Sequence, residues 1–530
     1  MTRINTNIPS MIAQRVLGAN NNQLNQSLER LSTGLAINRG KDNPAGLIAS
    51  QNLRAEKSAL GAAIKNAERA DQVANIAEGG LNEVSSLLTE LQSIVTTTAN
   101  DAGLSNEEKE ANQLQIDSIL QTIDRVSSAT SFQGVKLLNG NFDYNVEAVN
   151  AEVSSYKVNA AKLEFNGDRD VKVVTTQSAQ TAAYLLSFGG TGSGDINLGG
   201  AGQDDGSDEQ FVIELGGAKG SRELSFASGT AVSDMITQIN SFTDVTGISA
   251  TACGTTGIRL ASTEKGSDEF ISVKVIDDGS IDSSGGLYEM HSTNVLSADT
   301  SANTAFSDLG NKVTDKGQDV EAFINGIKAT TKGTTARINT DFLDVEVDLN
   351  YDTGSSDANA AVLGGLTAFT IKGGGADFQL AGRVDIAGKV GIGISNVAAR
   401  ELGRQDLTIK NEAGTDTTDT YSLNDLRAGA GLNVVDGDIS SAQIIVEDAI
   451  REVSSLRGRL GSFQQNTIGA TVRSLGVSLE NTAAAESVIR DVDFASETAS
   501  LTRSQVLSSS AQNTLALANA QPQSALQLLG

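Results

Sequence analysis

The 530-residue chain has no tryptophan, one cysteine, one histidine and three prolines, and aromatic residues make up only 4% of it. Each scarcity excludes something. A lone Cys253 excludes an intrachain disulfide framework. Cys253 and His291 together are too few ligands for a zinc site, and no HExxH occurs. No GxxxxGK[ST] phosphate loop is present. No apolar run approaches the roughly 20 residues of a membrane span. The opening stretch "MTRINTNIPSMIAQRVLG" lacks an apolar signal-peptide core followed by a small-residue cleavage site. The formal net charge of -26 disfavours nucleic acid and anionic membranes as partners. The expectation is a chain that is not an enzyme, with no cofactor, no catalytic residue and no metal site. The acid-rich "LGGAGQDDGSDEQ" at 198–210 lacks EF-hand spacing and reads as an acidic turn rather than a calcium site. Cys253 reads as a small apolar core residue.

What is present divides the chain in three. Pro9, Pro44 and Pro522 all lie near the ends, which are rich in Ala, Leu, Asn, Gln and Ser. The middle, roughly 140–440, holds most of the Gly, Thr and Asp. Residues 1–60 are net basic, and 201–300 are strongly acidic. The length suits several domains, and with few aromatics their cores rest on Ala, Leu, Val and Ile.

Seven-residue spacing dominates both ends. Leu53, Leu60, Ala67, Ala74, Leu81, Leu88 and Val95 form one line, with Ala63, Ala70, Ala77, Val84 and Leu91 three positions later. That a/d seam predicts a helix over 44–99, about 80 Å long at about 1.5 Å per residue. "SNEE" at 105–108 has the capping-box pattern and precedes a second helix bearing Leu114, Ile116, Ile119, Leu120, Ile123 and Val126. A third follows far downstream: Val446, Val453 and Leu460, with Ala449, Leu456, Phe463 and Ala470. Helix partners hundreds of residues apart tie the two ends together in an antiparallel bundle.

The extreme ends form another pair. Leu17, Leu24 and Leu31 repeat by seven, as do Leu28 and Leu35, with Asn21 in line as a candidate register-setting polar residue. Near the other end stand Val492, Phe494, Leu501, Val506 and Leu515. These helices are rich in mediocre helix formers, so the expectation is that they stay largely unstructured until neighbouring copies cover them. Between the first two helices, Gly34 and Gly40 are stop signals, Asn43 suits an N-cap and Pro44 the first helical position.

The middle alternates β-rich runs with Gly-Asp turns. "QFVIEL" (210–215), "ELSF" (223–226), "ISVKVI" (271–276) and "FLDVEVDL" (342–349) are strand candidates, and "AVSDMITQINSF" (231–242) is a helix. "GISATACGTTGIRLAS" after it predicts a hairpin.

The pattern "LERLSTGLAINRGKDNPAGLIASQNLRAE", continued by "GLNEVSSLLTELQSI" and "IDRVSSATSFQGVKLLNG" (123–140), resembles the N-terminal signature of bacterial flagellin. "VIRDVDFASETASLTRSQVL" (488–507) and the closing "QPQSALQLLG" resemble its C-terminal signature. The stretch from "LSFASGT" to "GIRLAS" is similar to a small repeat module inserted in many flagellins, and "QDVEAFINGIKATTKGTTARI" to an insert shared with filament-cap proteins. The resemblance implies a multidomain α plus β fold, with terminal coiled-coil helices, a long antiparallel helical bundle formed by both chain ends, and β-rich insert domains. The expected division is a filament-core domain of 1–43 and 485–530, a bundle with short β elements of 44–175 and 401–484, and inserts of 176–305 and 306–400.

The implied function is a structural subunit of the bacterial flagellar filament, secreted to the cell exterior unfolded through the flagellar type III export apparatus and serving swimming motility. A single cysteine and few prolines suit threading through such a channel. Implied partners are further copies of the chain in a helical homo-polymer, an export chaperone, the filament cap and the hook–filament junction proteins, with no nucleic acid and no membrane span. The filament-core packing positions are Leu17, Leu24, Leu28, Leu31, Leu35, Val492, Phe494, Leu501, Val506 and Leu515. The alternatives are a hook–filament junction protein of the same superfamily, or a filament-borne adhesin or enzyme acting through the inserts. Some family members are recognised by a Toll-like receptor. Where that motif carries Arg and Leu this chain has Glu90 and Ile94, and Gln115 stands where a further Glu aligns, which puts strong receptor recognition in doubt.

Overall fold

The computed structural model describes residues 6–527 apart from 101–102, 165–166, 189–209, 255–256, 280, 282–284, 291–297, 350–363 and 411–415. His291 and all but the last residue of the acidic turn at 198–210 lie outside the described residues. Eight α-helices are described: α1 (Ile8–Thr33), α2 (Pro44–Thr98), α3 (Asn106–Ala129), α4 (Val232–Asn240), α5 (Thr243–Thr246), α6 (Ile439–Ser462), α7 (Gly469–Arg490) and α8 (Phe494–Gln527). The chain forms two compact units, one of residues 1–81, 378–390 and 454–530, the other of 82–377 and 391–453.

In the first unit, α1 ends because Gly34 adopts a left-handed φ of 74° and returns its N–H to the Arg30 carbonyl at 2.8 Å. Gly40 lies beyond the helix, so only one of the two glycines stops it. α2 begins at Pro44, where Asn43 Oδ1 accepts the Gly46 N–H at 2.9 Å. Its buried face is small: Ala63, Ala67, Ala70, Ala74 and Ala77, with Leu60 and Leu81 at the ends. The late chain runs antiparallel along it. Lys57 pairs with Glu486 at 2.8 Å, Glu78 with Arg457 at 2.8 Å, and Asp71 accepts from Gln464 at 3.3 Å.

Between α6 and α7 the helix widens into a π-helical segment, Phe463–Ile468. The heptad line through Leu456 and Phe463 therefore fails at Ala470, which is exposed. The Phe463 ring packs on Phe378, centroids 6.0 Å apart.

In the second unit the capping box forms as expected. Ser105 Oγ accepts from Glu108 N, and the Glu108 carboxylate accepts from Ser105 N at 2.9 Å. Leu88, Leu91, Val95, Ile116, Leu120, Ile123, Val446, Ala449 and Val453 are buried. Leu114, expected on the apolar face, is 70% exposed, because the inward face of α3 runs instead through Gln113, Ile116 and Leu120. A polar stripe on α3 clasps the loop before α6. Gln113 donates to the Leu426 carbonyl at 2.8 Å and accepts from Val434 N at 2.9 Å. Asp124 accepts from Arg427 at 2.6 Å and from Ala399 N at 2.9 Å. In α6, Glu452 accepts the Gly403 N–H at 3.0 Å; burial pushes its carboxyl above the usual range, against the lowering effect of that bond and of Lys157.

Two β domains make up most of the rest of this unit, which also holds the small strand pairs Ser131–Phe132 with Val135–Lys136 and Gln405–Lys410 with Asp416–Tyr421. Domain A pairs a five-stranded sheet (order Ile327–Lys328, Glu321–Ile324, Arg169–Gln177, Gly364–Gly374, Tyr144–Glu147) with a four-stranded one (Thr330–Lys332, Thr335–Asn339, Leu343–Leu349, Val153–Ala161). Leu343, Val345, Val347 and Leu349 alternate inward, the period-two pattern of a half-buried strand. Domain B repeats the plan: Ala298–Ala305, Gly286–Met290, Ala183–Ser187, Gly257–Ser262 and Ile248–Cys253 form one sheet, and Val313–Lys316, Phe270–Asp278, Gln210–Gly217 and Ser221–Ala227 the other. α4 adds Val232, Met235 and Ile239 to its core. The rings of Phe188, Phe211 and Phe306 pack there with centroids 5.2 to 5.6 Å apart.

Three local expectations change. Strands between 144 and 177, placed with the bundle in the sequence division, pair with 321–324, 343–349 and 364–374 in domain A. Strand Val313–Lys316 belongs to domain B, beyond the expected limit at 305. Cys253 is exposed, because it ends a strand whose last three residues run past the core.

Leu88 is fully buried, so Leu88→Ala lowers unfolding free energy by about 2–5 kcal/mol in denaturant titration, whereas Leu114→Ala stays within about 0.5 kcal/mol. The raised Glu452 carboxyl means that its charged form opposes folding above its folded pKa, and that this opposition vanishes below its ordinary value. Glu452→Gln therefore raises the melting temperature at neutral pH, and its advantage shrinks to nothing as pH falls through the carboxylate range.

Candidate functional site

The paired chain ends in the first unit form the candidate site. α1 and α8 run antiparallel. Asn7 donates to the Ala518 carbonyl at 2.8 Å, and Ser10 to Asn519 at 2.7 Å. Further along, Ser508 donates to Asn21 at 2.8 Å, and Arg30 meets Glu497 at 3.6 Å. The register ends in a short antiparallel bridge of Leu35 with Asp491, where Ala36 N donates to the Arg490 carbonyl at 2.7 Å and Val492 N to that of Gly34 at 3.0 Å. Beside it, N–H groups of Arg39 and then Asn38 hold the Asp42 carboxyl below its usual range, although burial works the other way. Asp493 Oδ1 accepts from Ala495 N at 2.9 Å and starts α8.

The seam between the two helices is small and polar. Its buried residues are Ser10, Ala13 and Ser27 on α1, and Ser504, Ser508, Ala511 and Ala518 on α8. Leu17, Leu24 and Leu31, with Leu501 and Leu515, sit half-buried at the same three- and four-residue spacing. These four serines and three alanines let the backbones approach, and hydrogen bonds to Asn21 and Asn519 fix the register. In the structure both outer helices are formed, and this seam and the bridge give each a partner.

Five predicted packing residues do not join the seam, and three of them are exposed. Leu28 is 46% exposed, Phe494 57% and Val506 64%. They belong to a second, outward set with Ile8, Met11, Ile12, Val16, Leu507 and Leu517, nine large apolar side chains facing water. Part of that set lines a groove of about 440 Å³ between Pro9, Ile12, Ala13, Val16, Leu507 and Ala511. Leu35 and Val492 lie in the connecting bridge rather than in a helix pair.

Of the bundle positions, Leu60, Ala67, Ala74, Leu81, Leu88, Val95, Val446, Val453, Leu456, Leu460 and Phe463 are buried, and Leu53 is half-buried. Glu90 and Gln115 are exposed, and Ile94 is half-buried. Sequence reasoning on large apolar residues missed Ser10, Ser27, Ser504 and Ser508; counting small residues at the same heptad spacing would have found them. Among the described residues no cluster of three His, Cys, Asp or Glu side chains is arranged to hold a metal, and no helix is long and apolar enough to cross a membrane.

Residues 4–143 match the bacterial flagellin N-terminal helical region, 444–529 the bacterial flagellin C-terminal helical region, and 210–264 the flagellin hook IN motif. Flagellin A of Helicobacter pylori is 27% identical over 99% of both chains, and a flagellin of Salmonella choleraesuis is 26% identical over 99% of both. A solved structure of FliC from Burkholderia pseudomallei aligns at 12% identity and a TM-score of 0.22, covering 75% of this chain and 99% of that one. With both helical end regions in place and in order, and flagellins matched along its full length, the chain belongs to the bacterial flagellin family.

Proposed function

We propose that the protein is a structural subunit that polymerises into the flagellar filament through α1 and α8. The observation that carries this reading is the division of labour on the helix pair: a seam of buried Ser and Ala edged by half-buried leucines inside, and nine large apolar side chains among the described residues outside. Covering each partly exposed side chain contributes on the order of 1 kcal/mol, together enough to offset much of the cost of association. A head-to-tail contact whose rotation does not close builds an open helical polymer. In that reading 1–43 and 485–530 form the filament core, the bundle helices surround it, and the β domains face water. The role is structural rather than enzymatic, and the subunit acts outside the cell in swimming motility. Export in the unfolded state through the flagellar type III apparatus, a chaperone guarding the C-terminal helix, and contacts with cap and junction proteins complete the proposal. An abundant subunit along sheared filaments, rather than one confined to their base, separates it from a junction protein.

Ile12 and Val506 are exposed and lie off the seam, so Ile12→Asp or Val506→Asp leaves monomer helicity unchanged. In seeded sedimentation assays either variant raises the critical concentration by about tenfold or more, which corresponds to ~1.4 kcal/mol; normal filaments from both would contradict the proposal. Deleting 1–35 or 495–530 gives a monomer that never assembles.

We also propose that this protein signals weakly through the host receptor that recognises other flagellins, because Glu90 puts a negative charge where the motif has a positive one. In a receptor reporter assay Glu90→Arg increases potency on the order of tenfold, while full potency of the unmodified chain would refute the assignment.

A further inference from the structure

The two β domains join at a waist that leaves little freedom. The chain enters domain B through 178–182 and leaves it through 317–320. The two crossings pair with each other: Gln180 N donates to the Gln318 carbonyl at 2.8 Å, and Gln318 N to that of Gln180 at 3.0 Å. Gln318 Nε2 adds a bond to the Ser178 carbonyl at 2.8 Å. Ser178, Ala179 and Ala182 are fully buried, so this crossing is core rather than linker.

One side chain then ties a turn of each domain to the crossing. Asp319 Oδ1 accepts from Ser267 N, in a domain B turn, at 2.9 Å, and from Gly333 N, in a domain A turn, at 2.8 Å. Its Oδ2 accepts from the Ser267 hydroxyl at 2.6 Å. Val320 N donates to the Gly333 carbonyl at 2.8 Å, and Gly317 N to that of Glu269 at 2.9 Å. The turns touch so closely that a Cβ on Gly266 would lie 2.9 Å from Gly333 Cα, and one on Gly317 would lie 2.3 Å from the Gly266 carbonyl. Burial works to raise the Asp319 carboxyl, but bonds from Ser267 and Gly333, with Lys332 nearby, outweigh it and hold the group ionised.

Domains joined by two strands commonly swing about the connection. We propose that domains A and B instead move as one rigid body, locked at the waist by the Asp319 carboxylate. The inference is independent of filament assembly and is tested on the full-length monomer. Cys253 is exposed in domain B and takes one spin label; Lys328→Cys, on an exposed hairpin of domain A, takes the other. Pulsed electron resonance on this parent gives a single narrow distance peak. Asp319→Ala broadens that peak about twofold, and Ser267→Ala, which removes only the hydroxyl bond, broadens it less. Far-UV circular dichroism of both variants matches the parent, which separates loosening of the waist from unfolding. A broad distribution in the parent, or an unchanged peak in both variants, overturns the lock.

Discussion

Antiparallel pairing between helices from opposite ends of the chain is the constraint on which the rest depends. Arg30 meets Glu497, Lys57 meets Glu486, and Glu78 meets Arg457. Each contact joins residues separated by several hundred positions, so the middle of the chain is a loop closed by its own stem. Closing a loop of about 450 residues costs on the order of 5 kcal/mol plus a constant. The ion pairs cannot supply that, since partly exposed pairs contribute roughly 0–1 kcal/mol each. The stem is held by its buried alanine and leucine faces, and the ion pairs mark its register. Because loop cost grows only with the logarithm of length, the stem tolerates two whole β domains in the loop.

The same helices solve two packing problems with two kinds of face. Against each other, α1 and α8 bury Ser and Ala, with Asn hydrogen bonds fixing alignment and leucines only half-buried along the edge. Away from each other they show Ile, Met, Val, Leu and Phe. A pair whose apolar residues met inside would be more stable alone and would have less to offer a neighbour.

Helix positions were legible because heptad spacing is local. α2, the Ser105 capping box, the Asn43 cap and the strands at 210, 271 and 343 all follow from nearby residues. What the sequence hid is non-local or polar. Gln113 and Asp124 look like a solvated helix face but bind backbone groups some 300 residues away. Strand Arg169–Gln177 carries no mark that its neighbours are Glu321–Ile324 and Gly364–Gly374, since pairing depends on register across long separations. Leu28 and Val506 obey the periodicity yet point outward, because periodicity assigns a face and not its partner. The serines of the seam were invisible to a search for greasy residues.

The widened turn at Phe463–Ile468 has a geometric effect beyond its own six residues. Each residue of an ordinary helix advances the azimuth by about 100°, and a π turn slips that advance backwards relative to the upstream repeat. Sequence numbering in α7 is thus out of phase with α6, as the exposed Ala470 shows. The segment works like a vernier in a rod. It lets one continuous helix present different azimuths above and below a fixed point, without a proline. Removing a single residue there would re-index every side chain downstream to the Asp491 break while leaving the composition of the rod almost untouched.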